Sequence, residues 1–165
     1  MTDHSDTCPR PSLRDPAILL ATWFGAGHMH KAPGTWGSLG ALPFAWVIAW
    51  LGGWQALLVA AVILFPIGCW AADRYMAAVK SHDPGAVVVD EVVGQWLVLL
   101  IAPHDPLAYL LGFLLFRLFD ITKPWPVRVA DRSVGGGFGV MIDDVLAALY
   151  GMVVLAVIQY LRGAL

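Results

Sequence analysis

Apolar stretches occupy most of the chain and are separated by short segments rich in glycine, proline or charged residues. A membrane-spanning helix needs about 20 apolar residues, with roughly 17 as a lower bound, and two of the stretches reach that bound. No alternation of apolar and polar positions, as in a half-buried strand, competes with this pattern. The pattern predicts an all-α protein: a compact multi-helix bundle of about five apolar helices, membrane-embedded as two helical hairpins and a final helix. The stretches span residues 39–53, 55–72, 86–102, 107–119 and 145–161.

Charged residues are scarce, at 13% of the chain, against about 25% in an ordinary soluble domain. None lies between Ala32 and Ala72. Ten Lys and Arg against twelve Asp and Glu give a net charge of −2 without a basic stripe, which excludes a nucleic-acid-binding protein. The length fits one domain over residues 1–165, in which we expect residues 1–16 to form a flexible tail. A soluble all-helical domain with an unusually apolar core is the alternative.

The basic residues are distributed unevenly between the connecting segments. They occur in the amino-terminal region and in segments 73–85 and 117–142, whereas the turns at 52–54 and 103–106 contain none. Basic residues bias membrane-protein loops toward the cytoplasm. We therefore expect the amino terminus and the two basic segments to face the cytoplasm together.

A glycine-rich segment over residues 25–38 is the first candidate for chemistry. Its glycines would let backbone N–H groups approach an anion, and Ser38 is a plausible N-cap of the helix that follows, whose amino end favours phosphate. The segment lacks the spacing of a Walker A loop or a dinucleotide fingerprint. A plain connecting loop is the alternative interpretation.

Two adjacent acids, Asp90 and Glu91, lie inside an apolar run with no cation within four residues. Burying such a pair is costly unless it is matched by a partner, so the pair indicates a site, with a solvated helix face as the alternative. Upstream, Asp83 before Pro84 is typical of an N-cap followed by proline at the first helical position.

Further charged residues stand beside the later apolar runs. Arg117, Asp120 and Lys123 recur every three residues before Pro124; they form either part of a site or a structural i,i+3 ion pair. Asp143 and Asp144 follow a glycine run at the predicted start of the last helix. One aspartate there is ordinary capping, and the second is more than capping requires.

Together, these oxygen ligands without a His/Cys cluster favour Mg²⁺ over zinc. Mg²⁺ with nearby Arg and Lys is a recurring arrangement for phosphate chemistry, because the cations neutralise charge on phosphoryl oxygens. The residues alone therefore predict a membrane-embedded, Mg²⁺-dependent enzyme with a phosphorylated substrate. The main alternative is a small membrane carrier that binds a divalent cation through intramembrane carboxylates.

Four blocks cover most of residues 24–149, in the order FGAGHMHKAPGTWGSLGALPF, HDPGAVVVDEVVGQWLVLLIAP, FRLFDITKPWPVRVADR and GGGFGVMIDDVLAAL. In this order they resemble the bacterial phosphatidylglycerophosphatase A family. The resemblance implies hydrolysis of the phosphate monoester of phosphatidylglycerophosphate to phosphatidylglycerol and phosphate in glycerophospholipid biosynthesis. It also implies Mg²⁺ dependence and residence in the bacterial inner membrane, with the site facing the cytoplasm; the oligomeric state is left open.

The same resemblance assigns roles to residues of this sequence. The attacking group is either a metal-activated water molecule or one of the aspartates. We expect one or two Mg²⁺ ions at four carboxylates, with the other two acids as further ligands or orienting groups. The catalytic residues expected are Asp83, Asp90, Glu91, Asp120, Asp143 and Asp144. The metal ligands among them are Asp90, Glu91, Asp143 and Asp144, and the phosphate-binding residues expected are Thr35, Ser38, Arg117 and Lys123.

Overall fold

A computed structural model describes residues 11–80 and 84–163, and no strand occurs within these ranges. The predicted all-α class is confirmed. Asp83 lies outside the described residues, as does most of the predicted amino-terminal tail. The elements are α1 (Pro16–Ala21), a short 3₁₀ turn (Ala26–His28), α2 (Pro33–Val79), α3 (Val89–Leu99), α4 (Pro106–Thr122), α5 (Val127–Ser133) and α6 (Gly136–Gly163).

Helix α2 is two helices joined at a sharp break, so it contains both members of the first predicted hairpin. Gly53 has φ 67° and ψ −168°, a conformation that glycine adopts at little cost. A Cβ built on Gly37, before the break, would lie 2.7 Å from Val88 Cβ, and one on Gly68, after it, 3.5 Å from Val89 Cγ1. The chain therefore turns back at the break and returns to the start of α3.

Helices α3 and α4 form the second hairpin, and α6 packs against both. A Cβ built on Gly94 of α3 would meet the Phe116 ring of α4, and one on Gly112 would meet Leu99 at 3.0 Å. On α6, one built on Gly151 would lie 3.0 Å from Val98. These small residues let the helix axes approach closely, and the completely buried Phe116 fills the space between the three helices.

The outer surface of the bundle is apolar. Helices α2 and α6 are long and apolar enough to cross a membrane, each with a mean hydropathy of 2.1 over its most apolar window. Trp50 and Leu51 are more than 70% exposed, and Val62 and Val153 more than 60%. Such a surface suits lipid rather than water.

Three helix starts differ from the prediction. Helix α2 begins at Pro33, so Ser38 lies inside it and is not its N-cap. Helix α3 begins only at Val89, because the Val88 N–H donates to the Ala21 carbonyl at 2.8 Å. This bond holds residues 84–88 against the first loop, which we define as residues 22–32 between α1 and α2. Pro84 is therefore not the first helical residue of α3.

The last helix also starts earlier than predicted, at Gly136. At 3.6 residues per turn, Asp143 and Asp144 lie about two turns inside α6 and not at its start. The helices α1 and α5 are additions to the prediction; in α1, the Asp15 carboxylate accepts from the Ala17 N–H at 2.9 Å and caps the helix.

Candidate active site

A polar cavity of about 210 Å³ opens where α3 begins, α4 ends and the first turns of α6 meet. The sequence predicted that acids from these three places would converge, and they do. Seven charged side chains line the cavity together with the glycine run. They are Asp90, Glu91, Asp120, Lys123, Asp131, Asp143 and Asp144, with Gly85, Val87, Val134, Gly135, Gly136, Gly139 and Val140 completing the wall.

Three carboxylates form an acidic cluster, which we define as Asp90, Glu91 and Asp144. One oxygen from each lies within 4.8 Å of the others. A second observation concerns hydrogen bonding: Asp90 Oδ1, Glu91 Oε2 and Asp144 Oδ2 are buried and have no hydrogen-bond partner among the described residues. Burial raises the pKa of Asp90 well above its usual range, and the charges of Glu91 and Asp144 raise it further. Burying a charged carboxylate costs free energy unless a cation compensates its charge.

The acidic cluster has the composition of a hard-cation site. All of its donors are carboxylate oxygens, which Mg²⁺ and Ca²⁺ prefer, and no His or Cys side chain belongs to it. Unpartnered buried oxygens are what a bound cation would satisfy. The residues present therefore fit the Mg²⁺ ion that the sequence predicts.

Arg117 of α4 lies behind the cluster and holds two acids in place. Its Nη1 atom is 2.6 Å from Asp120 Oδ2 and 3.7 Å from Glu91 Oε1. The same atom donates to the Ser38 hydroxyl at 3.3 Å, and that hydroxyl donates to the Gly34 carbonyl at 2.9 Å. The i,i+3 ion pair considered for Arg117 is therefore present, and the same guanidinium connects α2, α3 and α4, while its binding of phosphate stays a prediction.

Lys123 is the centre of a second group of charges, the lysine cluster, which we define as Lys123, Asp131 and Asp143. Its ammonium lies 2.7 Å from Asp143 Oδ2 and is also paired with Asp131. Burial alone would lower the pKa of Lys123, but hydrogen bonds and charge from Asp131 and Asp143 outweigh it and raise that pKa above its usual range. The lysine is therefore a permanent cation at the cavity wall.

Glycine is required at two positions where helices approach the acidic cluster. A Cβ on Gly34 would overlap the Glu91 carboxylate and lie 3.1 Å from Arg117 Nη1. A Cβ on Gly94 would lie 2.5 Å from the Phe116 ring and 3.1 Å from the Asp144 carbonyl oxygen. The first glycine-rich block therefore contributes close packing beneath Glu91.

Two acids important to the site were missed by the sequence reasoning. Asp131 pairs with Lys123 across eight residues, and Asp73 Oδ1 accepts from the Gly137 N–H at 2.6 Å, which fixes the start of α6. A signal for Asp73 was available, because it is the first charged residue after the long uncharged run. Asp131 lies between Arg128 and Arg132 and has the pattern of an ordinary solvated helix face.

The other predicted residues lie behind the cavity, in the lysine cluster or outside the described residues. Arg117 and Ser38 contact each other behind the cavity, and Thr35 does not line it. Asp143 lies in the lysine cluster and outside the acidic cluster, so three of the four predicted metal ligands are grouped. Asp83 falls outside the described residues, and its role stays a prediction, as does that of Thr35.

Comparison with known proteins points to one family. The family model of phosphatidylglycerophosphatase A matches residues 19–159. A phosphatidylglycerophosphatase A of Haemophilus influenzae is 43% identical over 90% of this chain and 92% of its own length. That of Escherichia coli is 37% identical over 88% of this chain and 86% of its own.

A third relative, from Bacteroides thetaiotaomicron, is named provisionally as a phosphatidylinositol-3-phosphatase; it is 41% identical over 93% of this chain and 99% of its own length. No solved structure matches the chain. The matches confirm the resemblance and do not support the carrier alternative, and the bacterial relatives with the two long apolar helices indicate a membrane protein. The chain is an enzyme of the phosphatidylglycerophosphatase A family.

Proposed function

We propose that this protein hydrolyses the phosphate monoester of phosphatidylglycerophosphate, giving phosphatidylglycerol and inorganic phosphate, with Mg²⁺ as cofactor. The reaction belongs to glycerophospholipid biosynthesis. Two relatives that share 37–43% of their residues with this chain are named for that activity. The chemistry of the cavity agrees with a phosphate substrate, because acids that suit a divalent cation stand next to a fixed ammonium.

The observation that carries the proposal is the acidic cluster with its unpartnered oxygens. Phosphate monoester hydrolysis needs accelerations of up to about 10²¹-fold, more than one lysine supplies. Asp90, Glu91 and Asp144 would hold Mg²⁺. When bound, the ion supplies positive charge that neutralises the phosphoryl oxygens.

The protein's own residues then position the reacting groups. Lys123, held by Asp131 and Asp143, presents its ammonium to the phosphate oxygens. Arg117 fixes Glu91 and Asp120 at the cavity, so neither carboxylate has to reorganise when substrate arrives. The Gly135–Gly136 segment of the wall carries no side chain that would obstruct the headgroup.

The membrane placement is part of the proposal. The halves of α2 and helix α6 cross the bacterial inner membrane, and the cavity faces the cytoplasm. Basic residues near the cavity support this orientation: Lys123 lines it, and Arg74 follows Asp73, which contacts the first turn of α6. A terminal lipid phosphate would then meet the cavity at the membrane surface.

The test is phosphate release from phosphatidylglycerophosphate by the purified full chain in mixed micelles, with and without Mg²⁺. We expect release only with Mg²⁺, and loss of that release in Glu91→Gln and Asp143→Asn with helicity unchanged by circular dichroism. Asp105→Asn is the matched control, because asparagine caps a helix as well as aspartate does and Asp105 caps α4 far from the cavity. Near-normal turnover in both site variants would contradict the proposal.

Substrate choice is measured in the same assay. Phosphatidylinositol 3-phosphate serves as the competing lipid, given the name of the third relative. We expect a higher kcat/KM for phosphatidylglycerophosphate. A preference for the inositol lipid would reassign the substrate while leaving the phosphatase chemistry in place.

A further inference from the structure

A second cavity adjoins the active site on the side of the first loop. It has a volume of about 430 Å³ and is lined by His28, His30 and Tyr75, with Met29 and Pro33 beside them. Gly85 lines both this cavity and the one that contains the acidic cluster. Gly85 is therefore part of a wall that the two cavities share, and no described atom lies within 4 Å of a Cβ built on it.

The wall between the two cavities is the segment over residues 85–87. It can lie this close to the first loop because Gly27 has no Cβ, and a Cβ there would overlap the Ala86 carbonyl oxygen. The Val88 N–H, bonded to the Ala21 carbonyl, holds the end of the same segment. The second cavity is thus formed by fixed backbone and keeps a defined position relative to the acidic cluster.

The second cavity carries chemistry suited to a phosphodiester and a hydroxyl group. His28 Nε2 lies 3.3 Å from the Tyr75 hydroxyl, so imidazole and phenol are aligned at one wall. His30 is exposed at the rim. Helix α2 begins at Pro33 on the same rim, and its positive amino end favours an anion. Imidazole N–H and phenol O–H groups donate to phosphate and glycerol oxygens.

The exposed apolar residues near this cavity continue the path toward lipid. Met29 lines the cavity and is 46% exposed, and Trp36, one turn after Pro33 on α2, is 45% exposed. Outward from the acidic cluster the molecule thus presents, in order, a site for a phosphate monoester, a polar cavity and an apolar rim. A diacyl lipid whose two phosphates are joined by glycerol has its groups in the same order.

We propose that the cavity lined by His28, His30 and Tyr75 binds the phosphodiester and the bridging glycerol of the substrate, and so selects a two-phosphate headgroup over a lipid with a single terminal phosphate. This inference rests on the proposed function, since it concerns the rest of the same substrate. His28 and His30 are specificity-determining residues here and take no part in the bond-breaking step.

The test compares two lipids that share acyl chains and a terminal phosphate monoester. Phosphatidylglycerophosphate has the bridging glycerol and diester, whereas phosphatidic acid lacks both. Removing a hydrogen bond to a charged group costs enough to weaken binding by about tenfold. We expect His28→Ala and His30→Ala each to raise KM for phosphatidylglycerophosphate about tenfold at unchanged kcat. The KM of phosphatidic acid, or its Ki as a competitive inhibitor, should stay within about twofold.

Two further variants separate this role from a structural one. His28→Gln keeps an N–H donor near the position of Nε2, so its KM for phosphatidylglycerophosphate should be close to the wild-type value. If His28 only packs the cavity wall, glutamine would not lower the KM in this way. His104→Ala is the matched histidine control, because His104 packs on Trp46 beyond the end of α3. This variant should change the KM for neither lipid. His30 is exposed, so its variant keeps the test valid if His28→Ala fails to fold.

The outcomes distinguish this inference from the function it rests on. The inference alone is overturned if the wild-type protein releases phosphate from phosphatidylglycerophosphate but the histidine variants leave the KM for that lipid unchanged. It is also overturned if they raise the KM for both lipids equally. A wild-type protein that releases no phosphate from phosphatidylglycerophosphate overturns both.

Discussion

The acidic cluster and the lysine cluster occupy one cavity but balance their charge differently. Asp143 and Asp144 are neighbours in sequence and are 6% and 3% exposed, yet successive helical side chains point about 100° apart. Asp143 therefore reaches Lys123, whereas Asp144 joins Asp90 and Glu91, whose buried oxygens lack partners among the described residues. The contrast shows that the same residue type can serve two purposes: Asp143 fixes a cation of the protein, whereas in the proposed mechanism Asp144 binds a divalent cation from solution.

The largest effect should follow from breaking the acidic cluster. Asp144→Asn keeps the size of the side chain but removes a charge that a divalent cation needs, so we expect kcat for phosphatidylglycerophosphate to fall by about 10³-fold or more. Steady-state phosphate release at saturating Mg²⁺ measures it. A loss of less than tenfold, in a variant that melts like the wild type, would remove Asp144 from the proposed metal site.

Removing the cation of the lysine cluster should have the next largest effect. Lys123→Met keeps the apolar stem and loses the ammonium, and we expect a decrease in kcat/KM of about 10²-fold, the magnitude typical of losing one charge-stabilising donor. Because the pKa of Lys123 is raised, its ion pairs stabilise the fold below the ordinary lysine pKa and are lost only as pH rises through the raised value. Wild-type activity should accordingly show no lysine titration between pH 6 and about pH 10.

Displacing Glu91 without changing its charge should have an intermediate effect. In Gly34→Ala the new Cβ would overlap the Glu91 carboxylate, and a displacement of this kind should lower kcat roughly tenfold or more. Gly163→Ala is the matched control, because Gly163 ends α6 far from the cavity and no described atom lies within 4 Å of a Cβ at that position. Equal activities in the two alanine variants would show that the cluster tolerates movement of Glu91.

The smallest effect is expected for the outer partner of Lys123. Asp131 is half-exposed and shares the ammonium with the buried Asp143, and exposed ion pairs contribute little. Asp131→Asn should lower kcat/KM by about two- to fivefold, well below the effect of Asp143→Asn in the same assay. If the two variants were equally impaired, the outer ion pair would be as important as the buried one.

Much of the fold could be predicted from hydropathy, because long apolar runs have one solution in lipid. The break at Gly52–Gly53 and the turn before Pro106 are local signals, and both hairpins follow from them. The start of α3 could not be predicted. The Val88 N–H bonds to Ala21, far away in sequence, and this tertiary contact overrides the Asp83–Pro84 capping signal.

The candidate site divides in the same way. Asp90 and Glu91 were detectable because two adjacent acids in an apolar run are costly without a partner. Asp131 was not, because only the fold brings it to Lys123. The role of Ser38 also depended on tertiary structure: as a residue inside α2 it accepts from Arg117, whereas the sequence pattern favoured a cap.

Divalent-cation binding to the purified protein tests the contrast between the two clusters most directly. Mn²⁺, which shares the oxygen-ligand preference of Mg²⁺, can be titrated and its free fraction measured by electron paramagnetic resonance, independently of turnover. We expect saturable binding to the wild type and to Lys123→Met, with affinity at least about tenfold weaker in Asp144→Asn and Glu91→Gln. Wild-type affinity in both acidic-cluster variants, or loss of binding in Lys123→Met alone, would contradict this expectation.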